Sequence, residues 1–210
     1  MPARSRSRVD IPPLVVAITG ASGAPYAARL LEALVRAERP VWLIVSTHGW
    51  RLLETESGLA DEHALRRHVG AAVWDRHVRV FDDGDRGAAP ASGSTPTAGM
   101  IICPCSMGTI AAIAHGTSRS LIERAADVTI KERRPLIVVP RETPLSAIHL
   151  ENLLQLARVG AVVLPASPGY YHRPAALGDL VDFVVARVLD QAGVPHRIGR
   201  RWSETGPNAG

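Results

Sequence analysis

The sequence predicts a single α/β domain built on a parallel, doubly wound sheet. Three observations carry that reading. Five short runs, LVVAIT (14–19), VWLIVS (41–46), MIICPCS (100–106), LIVVP (136–140) and AVVLPA (161–166), are rich in Val and Ile and do not alternate with polar residues. That is the pattern of strands buried on both faces. Stretches of helical periodicity lie between the runs, and strands alternating with helices favour parallel pairing. The chain has 210 residues, a length that suits one domain with a full hydrophobic core. Sheets of this kind bind ligands at the C-terminal ends of their strands, so the residues just after each run are the candidates for function.

The first run leads into TGASGAPYAARLL, where Gly20 and Gly23 permit a tight turn and Pro25 suits the first turn of a helix. Residues 25–36 then place Leu30, Leu31, Leu34 and Val35 on one helical face. Free amides at that helix start favour an anion; an ordinary strand–helix turn is the alternative. Neither G-x-G-x-x-G nor G-K-[ST] occurs here, which excludes the dinucleotide fingerprint and the P-loop. The second run ends at Ser46, which either caps the next helix or donates to a ligand phosphate. That helix runs into LLETES, with Glu54 and Glu56.

Residues 82–98, DDGDRGAAPASGSTPTA, are too rich in Gly, Pro, Ser and Ala for a regular element and too long for a plain connection. After the third run, SMGTIAAIAHG opens a further helix, with hydroxyls on Ser106 and Thr109 and room left by Gly108. Residues 118–133 place Leu121, Ile122, Ala125, Ala126 and Val128 on one face, and 145–159 and 176–191 also read as helices. The fourth run ends in PRETP: the donor fork of Arg141 suits a phosphate or a flavin-like edge, and Glu142 is either its ion-pair partner or an acid/base group. The fifth leads to PGYYHRP, where Tyr170 and Tyr171 on a Pro/Gly-rich turn suit a flat ligand. Arg187 lies among Phe183, Val184, Val185, Ala186, Val188 and Leu189; such surroundings put it on a largely buried face, where an arginine needs an anion.

Composition bounds the partners. The net charge is +4 with a pI near 9.7, yet the basic residues are scattered, aromatics are 4% and no nucleic-acid motif is present. A modest positive excess suits small phosphorylated ligands instead. No apolar run is long enough to span a membrane, and the N-terminus lacks the apolar region of a signal peptide, so a cytoplasmic location is expected. Cys103 and Cys105, spaced Cys-Pro-Cys, read as reduced, buried thiols. With no second pair, and with His149 and His172 isolated, no metal is expected. Residues 1–12 read as a disordered basic arm, 13–195 as the domain, and 196–210 as a tail that is disordered or packs on a neighbouring subunit. Lys131 is the single lysine among 24 Lys and Arg residues.

From about residue 14 to 195 the chain resembles the flavin prenyltransferases of the UbiX family. The resemblance rests on GASGAPYA, PCSMGT, LIERAADVTIKERRPLIVVPRETP, and PGYYHRP followed by DLVDFVVARVLD, in that order. It implies a Rossmann-like flavoprotein fold and transfer of a dimethylallyl group from dimethylallyl monophosphate to N5 and C6 of reduced FMN. It also implies no metal, a homododecamer with sites at subunit contacts, and delivery of prenylated FMN to a UbiD-type decarboxylase. Carried over by position, Gly20, Ala21 and Ser22 meet the flavin, while Ser46, Ser106, Met107, Gly108, Thr109 and Arg141 hold FMN. Tyr171 and Arg187 bind the allylic phosphate, with Arg124 and Lys131 completing a basic cluster from a neighbouring subunit. Ser22, Glu56, Lys131 and Glu142 are the catalytic candidates. Thr95, Tyr170 and the segment His48–Trp50 depart from the family pattern without removing any of these groups. The rival readings are an FMN-dependent cysteine decarboxylase of the same superfamily, whose Met-Asn-rich substrate motif is absent from PRETPLSAIHLENL, and a non-enzymatic flavin carrier.

Overall fold

The apolar runs become strands at the positions their composition requires. A computed structural model describes residues 11–199. Its elements are β1 (Leu14–Ile18), α1 (Ala24–Arg36), β2 (Val41–Val45), α2 (Thr47–Ser57), α3 (Glu62–Val69), α4 (Ala71–His77), β3 (Val78–Asp82), β4 (Met100–Cys105), α5 (Met107–Ala114), α6 (Leu121–Lys131), β5 (Leu136–Pro140), α7 (Ala147–Arg158), β6 (Val162–Val163) and α8 (Leu177–Gln191). The six strands form one sheet in the order β3-β2-β1-β4-β5-β6, and every neighbouring pair is parallel.

The absence of alternation in the runs has a direct cause. Leu14, Val16 and Ile18 of β1 face one core, together with α1, α8 and Leu53, Leu65 and Trp74 of α2, α3 and α4. Val15 and Ala17 face the other, together with α5, α6 and Leu156 of α7. Successive side chains of a strand point to opposite faces, so a strand covered on both sides must be apolar throughout. Serines cap three helix starts: Ser46, in one of its two expected roles, accepts from the Gly49 amide, and Ser106 and Ser120 accept from the Thr109 and Glu123 amides.

Strand β3 and helices α3 and α4 were not foreseen. VRVFD carries Arg79 and Asp82 and sits at the sheet edge, where none of its residues is fully buried. Arg79 lies over the Phe81 ring, 4.7 Å from its centre. Residues 1–10 of the expected arm and 200–210 of the expected tail lie outside the described residues. At the near end of that tail, His196 hydrogen-bonds Asp190 at 3.1 Å, and Val194 and Ile198 join the core on the α1–α8 side.

Candidate functional site

The strand order creates the site. β1 is flanked by β2 on one side and β4 on the other, and the helices that follow β1 and β4, α1 and α5, leave to opposite faces. A crevice must open where the winding reverses, above the C-terminal ends of β1 and β4, and ligands of doubly wound sheets bind there. The loop Thr19–Gly23 and the turn Pro104–Ser106 form its two walls.

Thr19 joins those walls. It is 2% exposed. Its hydroxyl donates to the Pro104 carbonyl at 3.1 Å and accepts from the Ser106 amide at 2.8 Å. This residue was missed in the sequence, although a signal existed: it is the one polar residue in LVVAIT, and a hydroxyl buried at a strand end needs partners. Ser106 shares a 3.0 Å contact with the Thr109 hydroxyl and accepts from the Thr109 amide, so both hydroxyls are held at the α5 start. Met107 is buried and Gly108 exposed beside them.

On the β1 side, Gly20 is required by crowding: a Cβ there would lie 2.6 Å from the His48 Cβ. Gly23 adopts φ 130°, which side-chain-bearing residues rarely take. The amides freed at the start of α1 have found an anion within the chain. Glu56, in the last turn of α2, accepts from the Gly23 and Ala24 amides at 2.8 and 2.9 Å through one carboxylate oxygen. Partial burial would raise the Glu56 carboxyl, but the Gly23 amide, the Ser22 hydroxyl, the Ala24 amide and the charge of Arg141 together hold it below its ordinary value. Arg141, at the end of β5, donates from Nε to the Ser22 carbonyl at 3.0 Å. Its two terminal nitrogens have no hydrogen-bond partner among the described residues. Ser22, Glu56 and Arg141, far apart in sequence, therefore form one constellation at the strand ends.

A second group stands beside it. Burial, then the neighbouring Cys103 and Tyr170, push the hydroxyl of Tyr26, in the first turn of α1, above its ordinary value. Tyr170 and Tyr171 are 69% and 45% exposed, as the turn composition suggests. Helix α8, which carries Arg187, is fastened to α1 by Arg29, whose Nε and Nη2 reach the Asp182 carboxylate at 2.6 and 3.2 Å.

Three expectations are corrected. Arg187 is not on a buried face: its side chain is 54% exposed and pairs with Asp190 one turn on, at 3.0 Å. The apolar residues around it point elsewhere, because Val184, Val185, Val188 and Leu189 fill the core side of α8. Glu142 is not paired with Arg141: it is exposed and accepts from the Thr143 amide at 3.0 Å. The α1 amides do not stand open for a ligand anion, since Glu56 occupies them.

Of Arg124 and Lys131, the second is not brought to the crevice within one chain. Both are on α6, in the layer opposite α8. Lys131 ends α6 just before β5 begins, so it lies at the edge of the sheet where strands start, whereas the crevice lies where they end. Arg124 pairs with Asp127 at 2.8 Å. Lys131 is half exposed and pairs with Glu132 at 3.9 Å. Among the described residues, no group of three His, Cys, Asp or Glu side chains could hold a metal ion, and no helix is long and apolar enough to cross a membrane.

A doubly wound sheet, a crevice rimmed by hydroxyls and an arginine fork at the winding reversal define a protein that takes a phosphorylated, flat ligand at its strand ends. Comparison with known proteins narrows that class. The chain belongs to the Flavoprotein family, whose profile matches residues 2–189, and within it to the UbiX flavin prenyltransferases. It is 50% identical over 198 residues to the flavin prenyltransferase UbiX of Pseudomonas aeruginosa, covering 91% of this chain and 94% of that one. Among solved structures it is similar to AnUbiX (PadA1) in complex with FMN and dimethylallyl pyrophosphate, with a TM-score of 0.79 and 37% identity over 91% of this chain and 99% of that one. It is likewise similar to a dodecameric FMN-dependent Ubix-like decarboxylase from Escherichia coli O157:H7, with a TM-score of 0.80 and 42% identity over 87% and 96% of the two chains.

Proposed function

We propose that this chain is a flavin prenyltransferase that joins the dimethylallyl group of dimethylallyl monophosphate to N5 and C6 of reduced FMN. The observation that carries the reading is the Ser22–Glu56–Arg141 constellation at the crevice, in a chain of this family. The crevice fits FMN on its own terms. Gly108 leaves room, Ser46, Ser106 and Thr109 offer hydroxyls, and Arg141 keeps donors free for an acidic oxygen.

Reduced FMN, held by Ser46, Ser106, Thr109 and Arg141, would supply two nucleophilic atoms: N5 would displace phosphate from the allylic carbon and give up its proton, and C6 would close the second bond onto the prenyl double bond, which gains a proton as C6 loses one. The protein's part is electrostatic and positional. Arg187, with Arg124 and Lys131 of a neighbouring copy, meets the charge that builds on the phosphate oxygens, and fixed cations there lower the barrier. The face of Tyr171 tolerates positive charge on the allyl group, and closing out water protects it from hydrolysis. Glu56, held as a carboxylate, can accept a proton and not donate one, which makes it a base in this reading. Glu142 is exposed and free to carry a proton to phosphate, whose second pKa near 6 suits the exchange.

The separation of Lys131 from the crevice is the reason for reading the working site as shared between subunits, in a homo-oligomer of dodecameric size. The product, a modified flavin, goes to a UbiD-type decarboxylase, and the enzyme works in the cytoplasm.

The test is anaerobic incubation of the purified protein with reduced FMN and dimethylallyl monophosphate, followed by mass spectrometry of the flavin. A gain of one prenyl unit is expected. Unmodified flavin, with the protein folded and FMN-bound, overturns the reading.

A further inference from the structure

The proposed phosphate-binding residues Tyr171 and Arg187 come from very different supports. Arg187 stands on a long helix whose neighbours Val184, Val185 and Val188 are buried. Tyr171 stands half exposed on a loop of PASPGYYHRP composition, pinned at its ends by the Ala166 amide on the Pro140 carbonyl and the Ala175 amide on Asp179, and turned by the Arg173 amide on the Tyr170 carbonyl at 3.0 Å. A ring that must meet a small substrate cannot be left to such a loop, because misplacement of about 1 Å costs large factors in rate.

The missing restraint is aromatic. Phe183, one turn before Arg187 on α8, stacks on His172 with ring centres 5.6 Å apart and planes 4° from parallel. Tyr171 meets both rings edge-on, at 5.8 Å and 77° to Phe183 and at 5.6 Å and 79° to His172. Edge-to-face geometry at these spacings is the attractive one. Gly169 lies in the wedge: a Cβ there would come within 3.1 Å of Phe183 Cζ and of Tyr171 Cε1. Any larger residue must push the two rings apart. Phe183 and Arg187 also line one cleft of about 300 Å³ with Leu164, Pro165 and Ser167, so the same helical face serves both residues.

We propose that Phe183 is a positioning residue: through its stack with His172 and the clearance at Gly169, it holds the Tyr171 ring in register with Arg187 for dimethylallyl monophosphate. The inference rests on the function proposed above for Tyr171 and Arg187.

The experiment measures prenyl transfer by the full chain, with dimethylallyl monophosphate varied and reduced FMN saturating. Phe183→Leu and Gly169→Ala should each raise the KM for dimethylallyl monophosphate about tenfold, leaving FMN affinity and assembly size unchanged. Phe183→Tyr, which keeps the ring, should stay within about twofold of the parent chain. In a Tyr171→Ala background, Phe183→Leu should add less than about a further twofold, because the group it positions is gone. If Phe183→Leu costs the same factor with and without Tyr171, or if neither Phe183→Leu nor Gly169→Ala moves the KM, the inference is overturned. Gly169→Ala leaves α8 intact and carries the test should Phe183→Leu fail to fold. Absence of transfer by the unsubstituted chain is a different result, and removes the proposed function itself.

Discussion

Thr19→Val is the most discriminating change in this fold, because it alters one buried atom group without altering shape. The Thr19 hydroxyl donates to the Pro104 carbonyl and accepts from the Ser106 amide. After substitution the carbonyl keeps a partner, the Thr19 amide at 3.2 Å. The Ser106 amide does not. Leaving a buried donor unpaired costs about 1–3 kcal/mol, and the methyl gained at the same place returns less than about 1 kcal/mol. The net loss is about 1–2 kcal/mol, equivalent to a fall in melting temperature of about 2–8 °C for a chain of this size. Thermal unfolding followed by circular dichroism checks it, at one protein concentration because assembly shifts apparent stability. Thr19→Ser keeps the hydroxyl and should lose only the methyl, about 1 kcal/mol. FMN affinity should follow the same order, since the hydroxyl ties the two walls of the crevice. A Thr19→Val chain melting within about 1 °C of the parent, or a Thr19→Ser chain losing as much FMN affinity as Thr19→Val, refutes the account.

Glu56→Gln should destabilise the chain by about 1 kcal/mol at neutral pH, because a neutral amide holds the start of α1 less well than a carboxylate. The sign with pH follows from the depressed carboxyl: its contribution is complete above the unfolded value, about 4.5, and is lost as pH falls through the lower folded value. Urea unfolding at pH 7 and at progressively lower pH should show the gap between parent and variant closing in acid. Arg187→Ala should leave the melting temperature nearly unchanged, because an exposed pair with Asp190 contributes less than about 1 kcal/mol. It should abolish prenyl transfer while FMN still binds, and loss of FMN instead would put Arg187 at the wrong phosphate. Burial pushes the Cys103 thiol up to about 12, and Cys105 is raised further by burial and by Cys103 itself. Neither should react with a thiol-labelling disulfide at pH 8 until denaturant is added; rapid labelling of the native protein would contradict their burial.

The strands that cross the centre of the sheet were legible because burial on two faces leaves no polar residue to confuse the pattern. β1, β2, β4 and β5 begin where the runs at Leu14, Val41, Met100 and Leu136 begin. β3 was not, since an edge strand with Arg79 and Asp82 exposed satisfies its pairing without an apolar run. In the 161–166 run, only Val162–Val163 pair as β6. Of the site, the turn glycines and capping serines could be read from local chemistry. The union of Ser22, Glu56 and Arg141 could not, because it depends on which strand ends are neighbours, and no local pattern specifies sheet order. The exposure of Arg187 was misjudged for a related reason: a helix with an apolar majority still keeps one face outward.

Helix α6 ends at the start of a strand, and this has a genetic meaning. If Lys131 of one copy serves the crevice of another, two different inactive chains can rescue each other. A chain lacking Lys131 still offers a sound crevice, and a chain with Glu56→Gln still offers a sound lysine. Random co-assembly of equal amounts should restore about a quarter of the sites, whereas mixing the two after separate assembly should restore none until subunits exchange. A single disabled allele would then poison sites it does not itself contain.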